Sequence, residues 1–419
     1  MVYMSLITII CVSSLASYID KKRYGTYFAP SSVLAWPLTA SALLIVFFGR
    51  PLGFYDIDPL EILILALGIA AFSAGSILAT LLKSKALEWM SKRGRHVHLK
   101  NKHIVNEWRN LLLPAKWITS LALLAGVIRL LVLIFRDGIA AYVSTDGYDA
   151  ALMYGFPAHV ILIGYALAPL LFADAMLNKN IYSGIIWVGY LVLLFSSFVK
   201  YHVVLFVLVS FIFVMTIEKK TIKILFPLLI ILPIVIFVLS YVFIFASKGL
   251  SFEDNYLVKH LLNYLCCGIL YTSVNMQTLA IPYMAPINVF IAQFVAIPNK
   301  IFDLLSLPQW PVASPPYVYL SQTERGNVIN IITMFFYTKN YLTGLFFIVL
   351  FSLVLSLFVY KTENKLTSSV ILALLLLSFF GDFFVLLLVW EVILYSLILC
   401  RILSIVIYSL TIRKERKIN

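Results

Sequence analysis

Apolar residues in this chain arrive in unbroken runs of fifteen to twenty-five, separated by short polar punctuation, and not in the alternation that would mark strands with one wet face. Lipid offers no partner to backbone amides, so such runs cross a bilayer as helices of about 20 residues, and they are too long and continuous for barrel strands. The pattern predicts spans near 2–18, 29–48, 59–82, 111–135, 157–177, 181–199, 202–217, 222–246, 341–360, 366–382 and 384–410. The fold class is therefore all-α: a polytopic integral membrane protein of about eleven transmembrane helices, within a range of roughly 10–13.

The punctuation orients the spans. Cytoplasmic loops carry the excess Lys and Arg, and alternate loops do so here. Lys21, Lys22 and Arg23 share a side with the basic loop 83–110, with Lys179, with Lys219, Lys220 and Lys223, with Lys361 and Lys365, and with the tail from Arg413 to Lys417. Arg50, Arg136, Lys200, Lys248, Lys259, Lys300, Arg325 and Lys339 fall opposite. An odd number of spans then puts the N-terminus outside and the C-terminus inside. The run 2–18 is followed by basic residues and lacks a small-residue cleavage site, so it reads as a retained span. The chain reads as one integral membrane domain, 1–419, whose largest non-spanning part is an external segment, 247–340, with seven of the 16 prolines. Within that segment, Tyr256 to Gln277 and Val289 to Leu307 suit short interfacial or re-entrant helices. Leu307 to Tyr319, with Pro308, Pro311, Pro315 and Pro316, cannot be a continuous helix.

Composition closes off other classes. At 62% hydrophobic and 12% charged, with mean hydropathy +0.99, there are too few polar residues to clothe a soluble domain. The net charge of +13 is mostly an orientation signal, with anionic lipid headgroups, and not nucleic acid, as its partner. Cys11, Cys266, Cys267 and Cys400 have no metal or disulfide spacing. His96, His98 and His103 are interleaved with Lys and Arg that oppose a divalent cation, so no metal site is expected. No phosphate-loop, dinucleotide or hydrolase motif occurs in a workable context, and no cofactor is implied.

Charges in or near spans are costly and usually face a cavity. That selects Arg129, Arg136, Lys200, Asp382, Glu391 and Arg401; Lys116 and Asp174 lie near span ends, where reaching the interface is easy. Arg129 and Arg136 are seven residues apart, on one helix face at its outer end, and suit an anionic ligand. Lys200, Tyr201 and His202 fill a tight external turn. Ser321 to Asn330 is the most polar run of the external segment, with Glu324 a candidate general base and Arg325 a candidate phosphate clamp; ordinary surface pairing of the two is the plainer alternative. Lys259 and His260 repeat the cation and imidazole pattern. Asp382, Glu391 and Arg401 read as an intramembrane ion pair or a proton relay.

Three segments, SSFVKYHVVLFVLVSF at 196–211, NYLCCGILYTSVNMQ at 263–277 and ERGNVINIITMFFYTKNYLTGLFFIVLFSLVLSLFVY at 324–360, carry a resemblance to the Wzy-type O-antigen and oligosaccharide repeat-unit polymerases. The resemblance implies a GT-C-like fold related to the O-antigen ligases. It also implies a glycosyltransferase that joins repeat units carried on undecaprenyl pyrophosphate at the outer face of the bacterial inner membrane, where the orientation read from the loops puts the N-terminus in the periplasm and the C-terminus in the cytoplasm. External cations would hold the pyrophosphate without a metal: Arg129, Arg136, Lys200 and Arg325 are the candidates. Glu324, His202 and His260 are candidate bases, and Tyr317, Tyr319 and Trp310 candidate stacking platforms for sugar. Expected partners are the lipid-linked oligosaccharide as donor and acceptor, membrane lipids, and the flippase and chain-length regulator of the same pathway. Two other readings stay open: a flippase or transporter of lipid-linked oligosaccharide, and an O-antigen ligase.

Overall fold

The structure, a computed structural model, describes residues 1–92, 107–138, 152–153, 155–197, 200–247, 256–278, 285–312, 315–336, 340–361 and 364–418. The helices are α1 (Val2–Tyr24), α2 (Pro30–Phe48), α3 (Pro59–Lys92), α4 (Glu107–Asn110), α5 (Leu112–Asp137), α6 (Phe156–Asn178), α7 (Ile181–Phe195), α8 (Lys200–Ile217) and α9 (Ile222–Ser247). There follow α10 (Tyr256–Thr278), α11 (Pro286–Ala292), α12 (Ala296–Leu304), α13 (Ile331–Phe336), α14 (Tyr341–Lys361), α15 (Lys365–Leu377) and α16 (Leu387–Ile418). One small hairpin, β1 (Val318–Tyr319) with β2 (Arg325–Gly326), interrupts them.

Among the described residues, nine helices are long and apolar enough to cross a membrane, and α7, α8 and α15 supply three shorter apolar ones. Each of the eleven expected runs holds a helix, although α7 ends at Phe195, short of the expected 199, and α15 at Leu377, short of the expected 382. The surplus over that count is α10, one continuous helix of 23 residues over the stretch expected to form interfacial or re-entrant helices, and by length and composition also a candidate span. Its contacts explain the ambiguity. Leu265 and Cys266 meet Ser41 of α2, whereas Thr272 and Ser273 meet Glu61 and Asp58 around the start of α3. The basic stretch 83–110 is also not all loop: α3 runs on to Lys92 and α4 begins at Glu107. His96, His98 and His103 lie outside the described residues, as do Asp146 and Asp149. The prolines from Pro308 to Pro316 break the chain between α12 and β1, and no helix forms there among the described residues.

The chain divides into two compact units. The first comprises Met1–His98, Asn255–Lys361 and Leu374–Trp390; the second comprises Leu99–Asp254, Thr362–Ala373 and Glu391–Asn419.

Small and hydroxyl residues set the first unit's packing, as expected where lipid-facing helices gain nothing from burying Leu against Leu. A Cβ at Gly75 of α3 would overlap the Val349 carbonyl and Ser352 of α14. Between α1 and α2, the Ser13 and Thr39 hydroxyls meet at 2.7 Å. Asp20 accepts from the Ser32 amide and hydroxyl at 2.7 and 2.9 Å, placing an acid on the first turn of α2, where the unsatisfied amides and the helix dipole favour one.

In the second unit, a Cβ at Gly164 of α6 would overlap the Tyr190 phenol of α7, whose hydroxyl donates to the Ile161 carbonyl at 3.2 Å. Lys116 and Asp174, expected to reach separately for the interface, instead form an ion pair at 2.7 Å. Asp174 is nearly buried and also accepts from Asn178 (2.7 Å) and Ser183 (2.6 Å), so a charge that cannot be solvated finds three partners.

Candidate functional site

Tyr256, His260 and Tyr264 recur at every fourth residue of α10, and Asn263 follows His260 by three, so the four share one face. The His260 imidazole stacks on Tyr256 (5.2 Å, 15°) and meets the edge of Tyr264 (5.2 Å, 65°); Tyr264 stacks on Phe380 at 5.3 Å. Two aromatic neighbours in sequence register, Tyr256 and Tyr264, thus fix the plane of the only imidazole on that helix.

The β1–β2 hairpin supplies the carboxylate. Val318 pairs with Gly326 and Tyr319 with Arg325. The Leu320 amide donates to the Glu324 carbonyl at 2.9 Å, and the Ser321 hydroxyl accepts from the Thr323 and Glu324 amides at 3.2 and 2.8 Å. The turn is bound from outside too: Ser321 bridges Phe54, and the Tyr55 amide donates to the Leu320 carbonyl at 3.0 Å. Gly326 lets the hairpin lie against α10, since a Cβ there would overlap the Cys267 sulfur.

Glu324 Oε2 lies 3.2 Å from His260 Nδ1 and accepts from Asn263 Nδ2 at 2.9 Å; the same amide reaches the Arg325 carbonyl at 3.3 Å. The hydrogen bond from His260, helped by Asn263 and by the charge of Lys259, holds the Glu324 carboxyl below its usual range despite partial burial. Glu324 is thus an ionised hydrogen-bond acceptor at neutral pH and a weak base. A carboxylate at Nδ1 puts the imidazole proton there and makes Nε2 the basic nitrogen. Lys259 Nζ donates to the Thr323 hydroxyl at 2.6 Å. Arg325 does not pair with Glu324. It is exposed, lies over the Tyr319 ring at 4.2 Å, and donates to the Tyr319 hydroxyl. A fixed acid–imidazole pair therefore sits beside one cation, Lys259, and Arg325 follows Glu324 on the same hairpin with its guanidinium on Tyr319.

The sequence-selected residues divide as follows. His260, Glu324 and Arg325 come together. Trp310 is partly exposed and is clasped through its backbone by the Asn299 side chain (2.8 and 2.9 Å), and Tyr317 is 70% exposed. Arg129, Arg136, Lys200 and His202 belong to the second unit. There Arg136 makes two bonds to its own neighbour, Asp137 (2.8 and 2.6 Å), at the exposed end of α5, and Arg129 is half-buried on the same helix. Of Lys200 only the backbone, which begins α8, is described. His202 is 3% exposed, and neither ring nitrogen has a hydrogen-bond partner among the described residues.

The expected grouping of Asp382, Glu391 and Arg401 resolves into separate partnerships. Asp382 accepts from Gln293 at 2.7 Å and from the Phe384 amide at 3.2 Å. Glu391 lies 3.5 Å from His159, which also meets the Tyr395 hydroxyl at 3.2 Å. Sequence reasoning missed Asn263, Tyr256 and Tyr264, although the four-residue spacing of Tyr256, His260 and Tyr264 was the available signal. It also missed Glu61, which is fully buried and accepts from Thr272 (2.9 Å) and Thr333 (3.0 Å). Coming one turn into α3, Glu61 reads as an interfacial residue. Among the described residues, no three His, Cys, Asp or Glu side chains gather as a metal-binding set.

No family model, curated protein or solved structure matches this chain.

Proposed function

We propose that this protein is a membrane glycosyltransferase that joins oligosaccharide repeat units carried on a polyprenyl pyrophosphate, acting at the outer face of a bacterial inner membrane. The observation that carries the reading is the His260–Glu324 pair held by Asn263, with Lys259 beside it and Arg325 next along the same hairpin. The transfer forms a bond between an acceptor oxygen and the donor's anomeric carbon, and it breaks that carbon's bond to the pyrophosphate. The acceptor hydroxyl must lose a proton, which His260 is arranged to take at Nε2 while Glu324 stabilises the imidazolium that results. The departing diphosphate keeps the bonding electrons, and fixed cations stabilise charge developing there. Arg325 offers a guanidinium whose fork matches phosphate oxygens. The leaving group supplies the driving force, consistent with a chain that carries no nucleotide motif. The segment likeness to repeat-unit polymerases favours polymerisation over transport.

The test is to incubate the purified full chain with a lipid pyrophosphate oligosaccharide. A ladder of products is expected from the native chain, and a fall of about 10²–10⁴-fold in its rate of formation from His260→Ala. A full-strength ladder from that variant would reject the assigned base, and no ladder from the native chain would reject the polymerase reading.

A further inference from the structure

Surface helices of globular domains turn their apolar stripe toward the core; α12 does the reverse. Ile297, Ile301, Leu304 and the following Leu305 fall at i, i+4, i+7 and i+8, one face of the helix. On that face Ile301 is 50% exposed, Leu304 73% and Leu305 62%, whereas the buried position of α12 is Ala296. Leu307 and Trp310, just beyond the helix, continue the exposed apolar surface.

The chain braces this arrangement. Asn299 clasps the Trp310 backbone from both sides at 2.8 and 2.9 Å, Asp303 accepts from Lys300 (2.9 Å) and Gln309 (3.2 Å), and the Leu307 amide donates to the Phe302 carbonyl at 2.8 Å. The polar residues thus bond one another around the turn and leave the large apolar side chains outward. The helix is also joined to a membrane-crossing element. The preceding α11 packs on α14, with Phe290 and Phe347 at 5.2 Å, and the start of α14 exposes Leu342 and Phe346. A spanning helix with exposed apolar side chains at its start therefore packs on the helix that precedes α12.

We propose that α12 and the turn to Trp310 lie in the plane of the bilayer interface, with Ile301, Leu304, Leu305 and Leu307 inserted among the upper acyl carbons. Lys300 and Asp303 cancel in charge, so insertion is apolar in origin and does not depend on anionic lipid. Trp310 sits at headgroup depth, as amphipathic rings do. This inference stands apart from the proposed reaction.

The experiment uses the full chain in lipid nanodiscs. Cys11, Cys266, Cys267 and Cys400 are replaced by Ala, and a single Leu304→Cys or Gln309→Cys carries an environment-sensitive fluorophore. The label at position 304 is expected to be quenched at least about twofold more by spin labels near the acyl carbonyls than by those near the chain ends, and to be shielded from aqueous iodide. The label at position 309 should show the opposite accessibility. Unchanged behaviour in discs of neutral lipid is expected. Equal iodide access at both positions overturns the proposal, and so does shielding at 304 without lipid quenching, which would indicate a protein partner such as a second copy. If the cysteine-free chain does not fold, brominated-lipid quenching of the native chain minus that of Trp310→Phe reads the same contact; no difference overturns it.

Discussion

The first unit's hairpin region and the outer end of α5 in the second unit both drew attention for the same reason, scarce charges in an apolar chain, yet the structure spends those charges differently. At the hairpin, Glu324 reaches across 64 positions to His260, and Arg325 turns to Tyr319. On α5, the bonds described for Arg136 go to Asp137, the next residue along. A long-range partner costs chain entropy and fixes geometry, whereas a neighbour's carboxylate on an exposed helix end does neither. Rarity picks out residues worth watching; the distance along the chain to the partner distinguishes a built site from a solvated pair.

The largest expected effect tests whether the hairpin groups act as one. Glu324→Gln and His260→Ala should each slow polymer formation by about 10²–10⁴-fold, and the double variant should be little worse than either, because a unit already broken loses little more. Multiplicative losses would mean that the two groups serve different steps. Next comes the contrast itself. Arg325→Ala should cost about a hundredfold, with single repeat units remaining on the carrier, while Arg136→Ala should cost less than about threefold. The reverse ranking, measured in the same ladder assay, would move the pyrophosphate site to the second unit.

The smallest effect concerns acid stability. Because the folded Glu324 carboxyl is held below its ordinary value of 4.5, the folded state binds fewer protons than the unfolded one there. Its stabilising contribution is complete above that ordinary value and fades as pH falls through the lowered one. The thermal midpoint of the native chain in detergent should therefore drop more steeply on acidification than that of Glu324→Gln. Parallel curves would show that His260 and Asn263 do not stabilise the carboxylate.

Much of the architecture was legible because the lipid-crossing requirement writes itself into run lengths. α2, α6 and α14 match their expected ranges closely, and among the described residues the proline-rich stretch before β1 forms no helix. The register of α10 was less readable. Its Lys259, His260, Asn263 and Asn275 dilute the hydropathy, so the sequence marks a helix over this stretch without deciding between an interfacial and a crossing one. At the site, Glu324, Arg325 and His260 could be named from residue type, but their pairing depends on a hairpin only two residues wide on each strand, too short to leave a periodic trace. Asn263 was invisible for a similar reason: an amide on an apolar helix announces nothing until its acceptor is known. The partition of Asp382 to Gln293 and of Glu391 to His159 depends on neutral or titratable partners that a search for opposite charges passes over.

Adjacent residues on a strand point to opposite sides, and the turn from Leu320 to Glu324 is tied at both its ends and at its crown. The number of residues in that turn therefore decides which of two consecutive, oppositely charged side chains looks inward at α10 and which looks out. Adding or deleting one residue there would present the guanidinium to the imidazole and the acid to the surroundings, inverting the polarity of the face while leaving composition almost untouched. Odd changes in this turn's length should be intolerable, even where a two-residue insertion is accommodated.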